Sequence, residues 1–200
     1  MSKNEIASSK EEPTGMKIAY IGGGSRGWAH ALMKDLARCS YFSGEVALYD
    51  IDYPQAEFNA RYGNWIQTHP HAVSNWHYTA VKSLPQALKG ADFVFMSIMP
   101  GPMELMKYDL HIPQKYGIYH AVGDTAGPAG HIRALRSIKI YRGLTEAIAQ
   151  YAPKAWILNF TNPMTLCTRT IFKTFPEARA FGCCHEVFSV QKMGAELVEK

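Results

Sequence analysis

The sequence predicts an α/β protein whose sheet is doubly wound and mostly parallel. Three observations predict this class. Short apolar segments alternate with helical segments from residue 17 onward, a glycine-rich turn follows the first apolar segment, and an aspartate follows the second. Such alternation is typical of a parallel sheet that is covered by helices on both faces.

Six strands and six helices account for the pattern. The predicted strands are 17–21, 46–49, 76–81, 92–98, 156–160 and 179–184. The predicted helices are 28–38, 53–67, 84–89, 131–151, one that begins near Pro163, and 188–200. The apolar run at 92–98 indicates a central strand that is buried on both faces.

The turn after the first strand has the glycine spacing of a dinucleotide-binding loop. Gly22, Gly24 and Gly27 form the pattern G-x-G-x-x-G. In that setting the three glycines provide a tight turn, a close approach of the backbone to a pyrophosphate, and close packing of helix against strand. The pyrophosphate then lies on the free N–H groups at the helix N-terminus.

Asp50 follows the second strand at about the distance expected for the carboxylate that binds a ribose hydroxyl. The order strand, glycines, helix, strand and acid therefore predicts an NAD-type cofactor site. A tight turn that serves another ligand is the alternative.

Composition and charge are those of an ordinary globular chain. The 200 residues are 47% hydrophobic, and the formal net charge is +4 with scattered basic residues. We therefore expect one nucleotide-binding domain over 16–200 behind a disordered polar leader at 1–15, with no nucleic-acid or membrane partner. The four cysteines lack the spacing of a disulfide framework, and no apolar segment is typical of a secretion signal, so a cytoplasmic protein is expected.

Four polar segments that contain Gly or Pro follow apolar runs, and ligands of doubly wound folds bind at that edge of the sheet. These segments are 99–102, 123–128, 159–164 and 182–186. In the last of them Cys184 and His185 are adjacent metal-donor types, but neighbouring side chains of a strand point to opposite faces, so one ligand is expected there. An inert cysteine is the alternative. Asp124 is either a functional carboxylate or the cap of a helix. Asn162, which precedes Pro163, is consistent with a turn before the start of a helix.

Together these segments resemble the family 4 glycoside hydrolases, which use NAD and a divalent metal. The resemblance covers nearly all of residues 16–200. Its motifs are Ile21-Gly22-Gly23-Gly24-Ser25, the segment 123–130 with the following 132–136, the segment 159–164, and Gly182-Cys183-Cys184-His185-Glu186. Within the family the chain is most similar to the α-galacturonidase branch, notably at 117–119 and 183–188.

The resemblance implies a glycosidase that needs NAD and Mn²⁺, or another divalent metal. NAD takes a hydride from C3 of the sugar, the metal polarises the ketone, the glycosidic oxygen is eliminated, water adds, and the hydride returns. The implied cofactor residues are Gly22, Gly24, Ser25, Gly27 and Asp50. The other implied roles are Cys184 as metal ligand, Asn162 and Asp124 as substrate-binding residues, and Asp124 and His185 as catalytic residues, His185 as general acid.

Two departures from the family pattern are informative, and the first narrows the expected substrate. Relatives that cleave phosphosugars place arginines where this chain has Met99 and Met106, so the resemblance implies an unphosphorylated sugar or a uronic acid, with an α-galacturonide favoured. The second metal ligand and the tyrosine base of the family are expected beyond residue 200.

Two alternative functions stay open, and a homo-oligomer is implied by the family. One alternative is an NAD-dependent 2-hydroxy-acid dehydrogenase, which shares the fold. The other is an NAD-binding module with no activity alone.

Overall fold

A computed structural model of the chain describes residues 15–120, 125–184 and 186–198. Within these residues the chain forms a six-stranded parallel sheet in the order β3-β2-β1-β4-β5-β6. The strands are β1 Gly15–Ile21, β2 Ser43–Tyr49, β3 Trp76–Val81, β4 Phe93–Met96, β5 Trp156–Asn159 and β6 Arg179–Gly182. This is the strand order of doubly wound dinucleotide-binding folds, so the predicted fold class is confirmed.

Helices pack on both faces of the sheet. They are α1 Trp28–Arg38, α2 Tyr53–Gln67, α3 Leu84–Leu88, α4 Leu105–Gln114, α5 Gly127–Tyr151, α6 Met164–Thr174 and α7 Glu186–Val198. Helix α4 was not predicted; its buried residues are Asp109 and Pro113, whereas Tyr108 and Ile112 are exposed. Helix α5 begins earlier than the predicted 131, since Pro128 occupies its first turn, where a missing N–H is harmless.

Several strand boundaries also differ from the predicted ones. Strand β4 ends at Met96 instead of 98, because the N–H of Ile98 donates to the Thr161 hydroxyl (2.9 Å) and leaves the ladder. Strand β6 ends at Gly182 instead of 184. Gly15, which the sequence placed in the disordered leader, begins β1, and the rest of that leader lies outside the described residues.

Alternating residues of the central strands supply two apolar cores. Ile18 and Tyr20 of β1 face α1 and α2, whereas Ala19 and Ile21 face α3, α5 and α6. Strand β1 is therefore buried on both faces, as its position at the centre of the sheet requires. No described helix is long and apolar enough to cross a membrane.

Candidate functional site

The glycine loop, residues 22–27, leaves β1 and folds back onto the end of β2. The N–H groups of Gly22 and Gly23 both donate to the carbonyl of Tyr49 at 2.9 Å, and the N–H of Ser25 donates to the carbonyl of Gly22 at 2.9 Å. Gly22 has φ +96°, a conformation that favours glycine. A Cβ at Gly22 would lie 2.0 Å from the carbonyl oxygen of Ser97, so the loops after β1 and β4 touch through backbone atoms.

The next two glycines permit close approaches to β2 and its following residue. A Cβ at Gly23 would lie 2.7 Å from Cβ of Leu48, and one at Gly24 would lie 2.9 Å from Cγ of Asp50. At Gly27 nothing lies within 4 Å of such a Cβ, so the prediction that Gly27 gives close helix–strand packing is wrong. Gly23 takes that packing role, and cofactor binding by Gly27 stays a prediction.

Asp50 fixes the glycine loop at the end of β2, and its contact with a ribose stays a prediction. Its Oδ2 accepts the N–H of Gly24 (2.8 Å), and its Oδ1 accepts the N–H of Asp52 (2.9 Å). Each carboxylate oxygen has a second lone-pair direction, so the half-buried carboxylate can accept further hydrogen bonds.

Sequence reasoning missed Asn59 of α2, which is fully buried. Its amide nitrogen donates to the carbonyls of Gly23 (2.7 Å) and Ser25 (3.0 Å). Its oxygen contacts Nε2 of His30 (2.9 Å) and accepts from Nε2 of Gln55 (3.2 Å). A signal existed in the sequence, because Asn59 is a polar residue within the stripe of small residues on α2.

A second buried asparagine, Asn159, shapes the loop after β5. Its Oδ1 accepts the hydroxyl of Tyr141 (2.6 Å) and the N–H of Thr161 (3.1 Å). Its amide nitrogen donates to the carbonyls of Thr161 (3.4 Å) and Met164 (3.3 Å) and to Oγ1 of Thr168 (3.2 Å). Burial, then the nearby Cys167, raises the pKa of Tyr141 well above its usual value, so this phenol stays a donor.

Asn162 stands at the exposed end of this loop, before a cis peptide bond to Pro163. Its Oδ1 accepts the N–H of Met164 (3.3 Å), and the rest of the side chain faces outward. The predicted position at the carboxyl edge of the sheet is therefore the observed one. Its contact with a sugar stays a prediction.

Two adjacent cysteines follow β6. The N–H of Cys183 donates to the carbonyl of Asn159 (2.8 Å), which keeps this residue beside the end of β5. Burial raises the pKa of the Cys183 thiol, and this disfavours a thiolate ligand. Cys184 is an exposed free cysteine and so is the better placed of the two for a metal.

The metal site is not assembled by the described residues. They contain no group of three His, Cys, Asp or Glu side chains placed to hold a metal ion. Asp124 and His185 lie outside the described residues. The segment 123–128 follows α4 and leads into α5, so the expectation that it directly follows a strand, like the other three segments, is wrong because α4 intervenes after β4.

The two methionines that narrowed the substrate class converge on one cation. Sulfur atoms of Met99 and Met106 lie 3.5 and 3.9 Å from the guanidinium of Arg133, which is 9% exposed. One turn further along α5, Arg136 forms a two-pronged ion pair with the buried Asp109, with one contact of 2.9 Å. These contacts fasten α4 to α5.

The sheet order, the glycine loop and its strand-end aspartate define the class of proteins with a doubly wound dinucleotide-binding domain. The chain belongs to the family described as family 4 glycosyl hydrolase, which it matches over residues 17–200. The resemblance recognised in the sequence is therefore confirmed.

Relatives of known structure or activity support this membership. An alpha-galacturonidase from Thermoanaerobacter italicus is 53% identical over 186 residues, which are 93% of this chain and 40% of that protein. The crystal structure of a Bacillus subtilis protein described as a glucosidase gives a TM-score of 0.86 at 49% identity, covering 92% of this chain and 41% of that one. A 6-phospho-alpha-glucosidase from gut microorganisms, solved with NAD and Mn²⁺, gives 0.72 at 26% identity, covering 85% and 38%.

The chain thus spans about 40% of the length of the curated relatives it matches.

A lactate dehydrogenase from Eimeria maxima gives a TM-score of 0.53 at 19% identity over 86% of this chain and 44% of that one. That likeness shows a shared fold alone, so the dehydrogenase alternative has no residue-level support.

Proposed function

We propose that this chain is the nucleotide-binding part of an NAD- and Mn²⁺-dependent glycosidase that hydrolyses α-galacturonides. The observation that carries the proposal is the glycine loop, which is closed onto β2 by backbone hydrogen bonds and bare of side chains where it approaches β4. The 53% identity to an alpha-galacturonidase supports the substrate class.

The glycine loop fits a dinucleotide. Cβ atoms at Gly22, Gly23 and Gly24 would collide with Ser97, Leu48 and Asp50, so only glycines allow this loop shape. Among the described residues no acceptor is found for the N–H groups of Arg26 and Gly27 just before α1. Backbone N–H groups at a helix N-terminus bind pyrophosphate, and Asp50 would accept ribose hydroxyls. Ser25 would contribute to the cofactor site through its backbone, because its side-chain oxygen already accepts the N–H of Trp28 (3.2 Å).

The residues at the ends of β5 and β6 fit part of a metal and sugar site. Cys184 would supply a thiolate to the metal, and Asn162 would hold sugar hydroxyls through its amide. We keep Asp124 as a second substrate contact and His185 as the general acid, both as proposals. When bound, NAD supplies a reversible hydride acceptor and the metal a Lewis acid.

The substrate proposal also rests on the surroundings of Arg133. Phosphate dianions are best held by fork-shaped arginine donors. The two methionines instead place thioethers on a guanidinium that is almost fully buried. The methionines therefore favour an unphosphorylated sugar over a phosphosugar, and the 53% identity to an alpha-galacturonidase favours a uronic acid.

The test is sugar release from α-galacturonide and α-galactoside substrates by the purified chain, with NAD, Mn²⁺ and a thiol reductant each omitted in turn. The expected result is sugar release that needs all three components and produces no net NADH. NADH is followed by the absorbance of the reduced cofactor at 340 nm. Stoichiometric NADH would identify a dehydrogenase. NAD binding without turnover would identify a module that is inactive alone.

A matched pair of variants tests the metal ligand. We expect Cys184→Ser to weaken Mn²⁺ binding, followed by electron paramagnetic resonance, by about 10-fold or more. Cys183→Ser is the control, because this neighbouring thiol is half-buried whereas that of Cys184 is exposed. Equal losses in both variants would reject Cys184 as the ligand.

A further inference from the structure

We infer that Asn59 is a positioning residue that sets the direction of two N–H groups of the glycine loop, that of Gly24 toward Asp50 and that of Arg26 toward the proposed pyrophosphate position, an inference that rests on the NAD binding proposed above. Asn59 is fully buried on α2, and it contacts the loop from outside the sequence motif. All four hydrogen-bonding positions of its amide are occupied.

The geometry of the peptide group explains how a side chain can aim an N–H. In a planar trans peptide the carbonyl and the following N–H point in opposite directions. Asn59 holds the carbonyl of Gly23, so the N–H of Gly24 points away from α2 and reaches Asp50. It also holds the carbonyl of Ser25, so the N–H of Arg26 points away from α2, at the start of α1.

The amide of Asn59 is itself held in one orientation. Its oxygen lies 2.9 Å from Nε2 of His30 on α1 and 3.2 Å from Nε2 of Gln55, one turn earlier on α2. The ring of His30 in turn lies 4.3 Å from the ring of Tyr62, measured between centroids. A flipped amide would set its nitrogen against two donors and its oxygen against two carbonyls, so the contacts on both sides enforce one loop shape.

Asn59→Asp is the sharpest variant, because the two side chains have the same shape. A carboxylate oxygen would replace the amide nitrogen 2.7 and 3.0 Å from two carbonyl oxygens, so two donated hydrogen bonds become repulsive contacts. We expect the Kd for NAD, measured by calorimetry on the full chain, to rise roughly 10- to 100-fold.

Asn64→Asp is the matched control on the same helix. The amide nitrogen of Asn64 donates to the carbonyl of Tyr78 (2.9 Å), and its oxygen accepts the N–H of Tyr78 (2.9 Å), so it holds β3 and not the glycine loop. We expect it to lower the melting temperature while the Kd for NAD stays within about twofold. Two milder variants cover a failure of Asn59→Asp to fold. Asn59→Ala adds no charge, and His30→Ala keeps both loop contacts and should raise the Kd only a few-fold.

A second readout does not depend on NAD. In ¹H–¹⁵N spectra of the free protein, the amide signals of Gly24 and Arg26 should move in the Asn59 variants and stay in place in Asn64→Asp. Equal loss of NAD affinity in the two asparagine variants, or unmoved loop signals, would overturn the inference. Failure of the wild-type chain to bind NAD while the loop signals move would instead reject the proposed function and the cofactor role with it.

Discussion

The loops after β1 and β5 are each held by one buried asparagine, but from different places. Asn59 reaches the glycine loop from a helix more than 30 residues away, through short contacts of 2.7 and 3.0 Å. Asn159 lies at the end of the strand that its own loop follows, and its donated contacts of 3.2–3.4 Å are longer and shared among three acceptors. Gly22, Gly23 and Gly24 have no side chains with which to hold the loop, so its shape depends on a neighbour. The loop at Asn162 carries its own anchor.

The largest expected effect comes from breaking the self-anchored loop. Asn159→Asp would bury a carboxylate against the carbonyls of Thr161 and Met164, so we expect the free energy of unfolding to fall by about 3–5 kcal/mol in urea titrations. Asn162→Asp is the control, since this exposed side chain accepts one hydrogen bond that aspartate can also accept. A similar loss in both variants would show that burial of Asn159 does not set the difference.

The next largest effect is expected from a substitution in the glycine loop, which depends on a close approach of its backbone to β2. Gly23→Ala would place a methyl group 2.7 Å from Cβ of Leu48 and 2.9 Å from its Cα, so we expect a loss of about 1–3 kcal/mol in unfolding free energy. Gly27→Ala has open space and a negative φ, and we expect a change within about 0.5 kcal/mol. Thermal unfolding followed by circular dichroism compares the two. A tolerated Gly23→Ala would show that β2 and the loop are not tightly packed.

The last effect is a dependence of stability on pH that arises beside Asn159. Burial, which outweighs the Tyr141 hydrogen bond and the charge of Arg133, raises the pKa of Cys167 to about 12. Cys167 lies in the core beside Tyr141, the partner of Asn159. Above pH ~9 the unfolded chain loses this proton and the folded chain keeps it, so stability that is complete at lower pH falls as pH rises toward 12, by at most ~1.4 kcal/mol per pH unit.

Cys167→Ala should remove this contribution to the slope. The measurement is the unfolding free energy between pH 8 and 10.5 for the wild type and the variant. Parallel curves would show that Cys167 does not titrate differently in the folded and unfolded states.

What the sequence could predict follows from how local each signal is. The glycines, Asp50 and the apolar strands each act through near neighbours, and their placement in the fold was predicted. Asn59 is marked in the sequence only as a polar residue among the small residues of α2, and its role depends on a contact with Gly23 that only the folded chain creates. Helix α4 was missed for a similar reason, because the contact that holds it is the ion pair between Asp109 and the distant Arg136 of α5.

The role of Gly27 shows a limit of motif reasoning. The spacing of the fingerprint is present, but the close contact with β2 belongs to Gly23, an extra glycine that the motif does not require. A pattern gives positions, and the particular side chains opposite them decide which glycine is indispensable. The roles of Asp124 and His185 stay predictions for the same reason, since their surroundings lie outside the described residues.

The strand order also has a consequence for how the chain is made. Strands β1, β2 and β3 pair among themselves within residues 15–81, and β4 joins them along β1. During synthesis the first half of the sheet, with its glycine loop and the Asn59 contacts, can therefore assemble before β4 leaves the ribosome. The free edge of β1 pairs with β4 only later, and Gly22 of the glycine loop then meets Ser97 in the loop after β4.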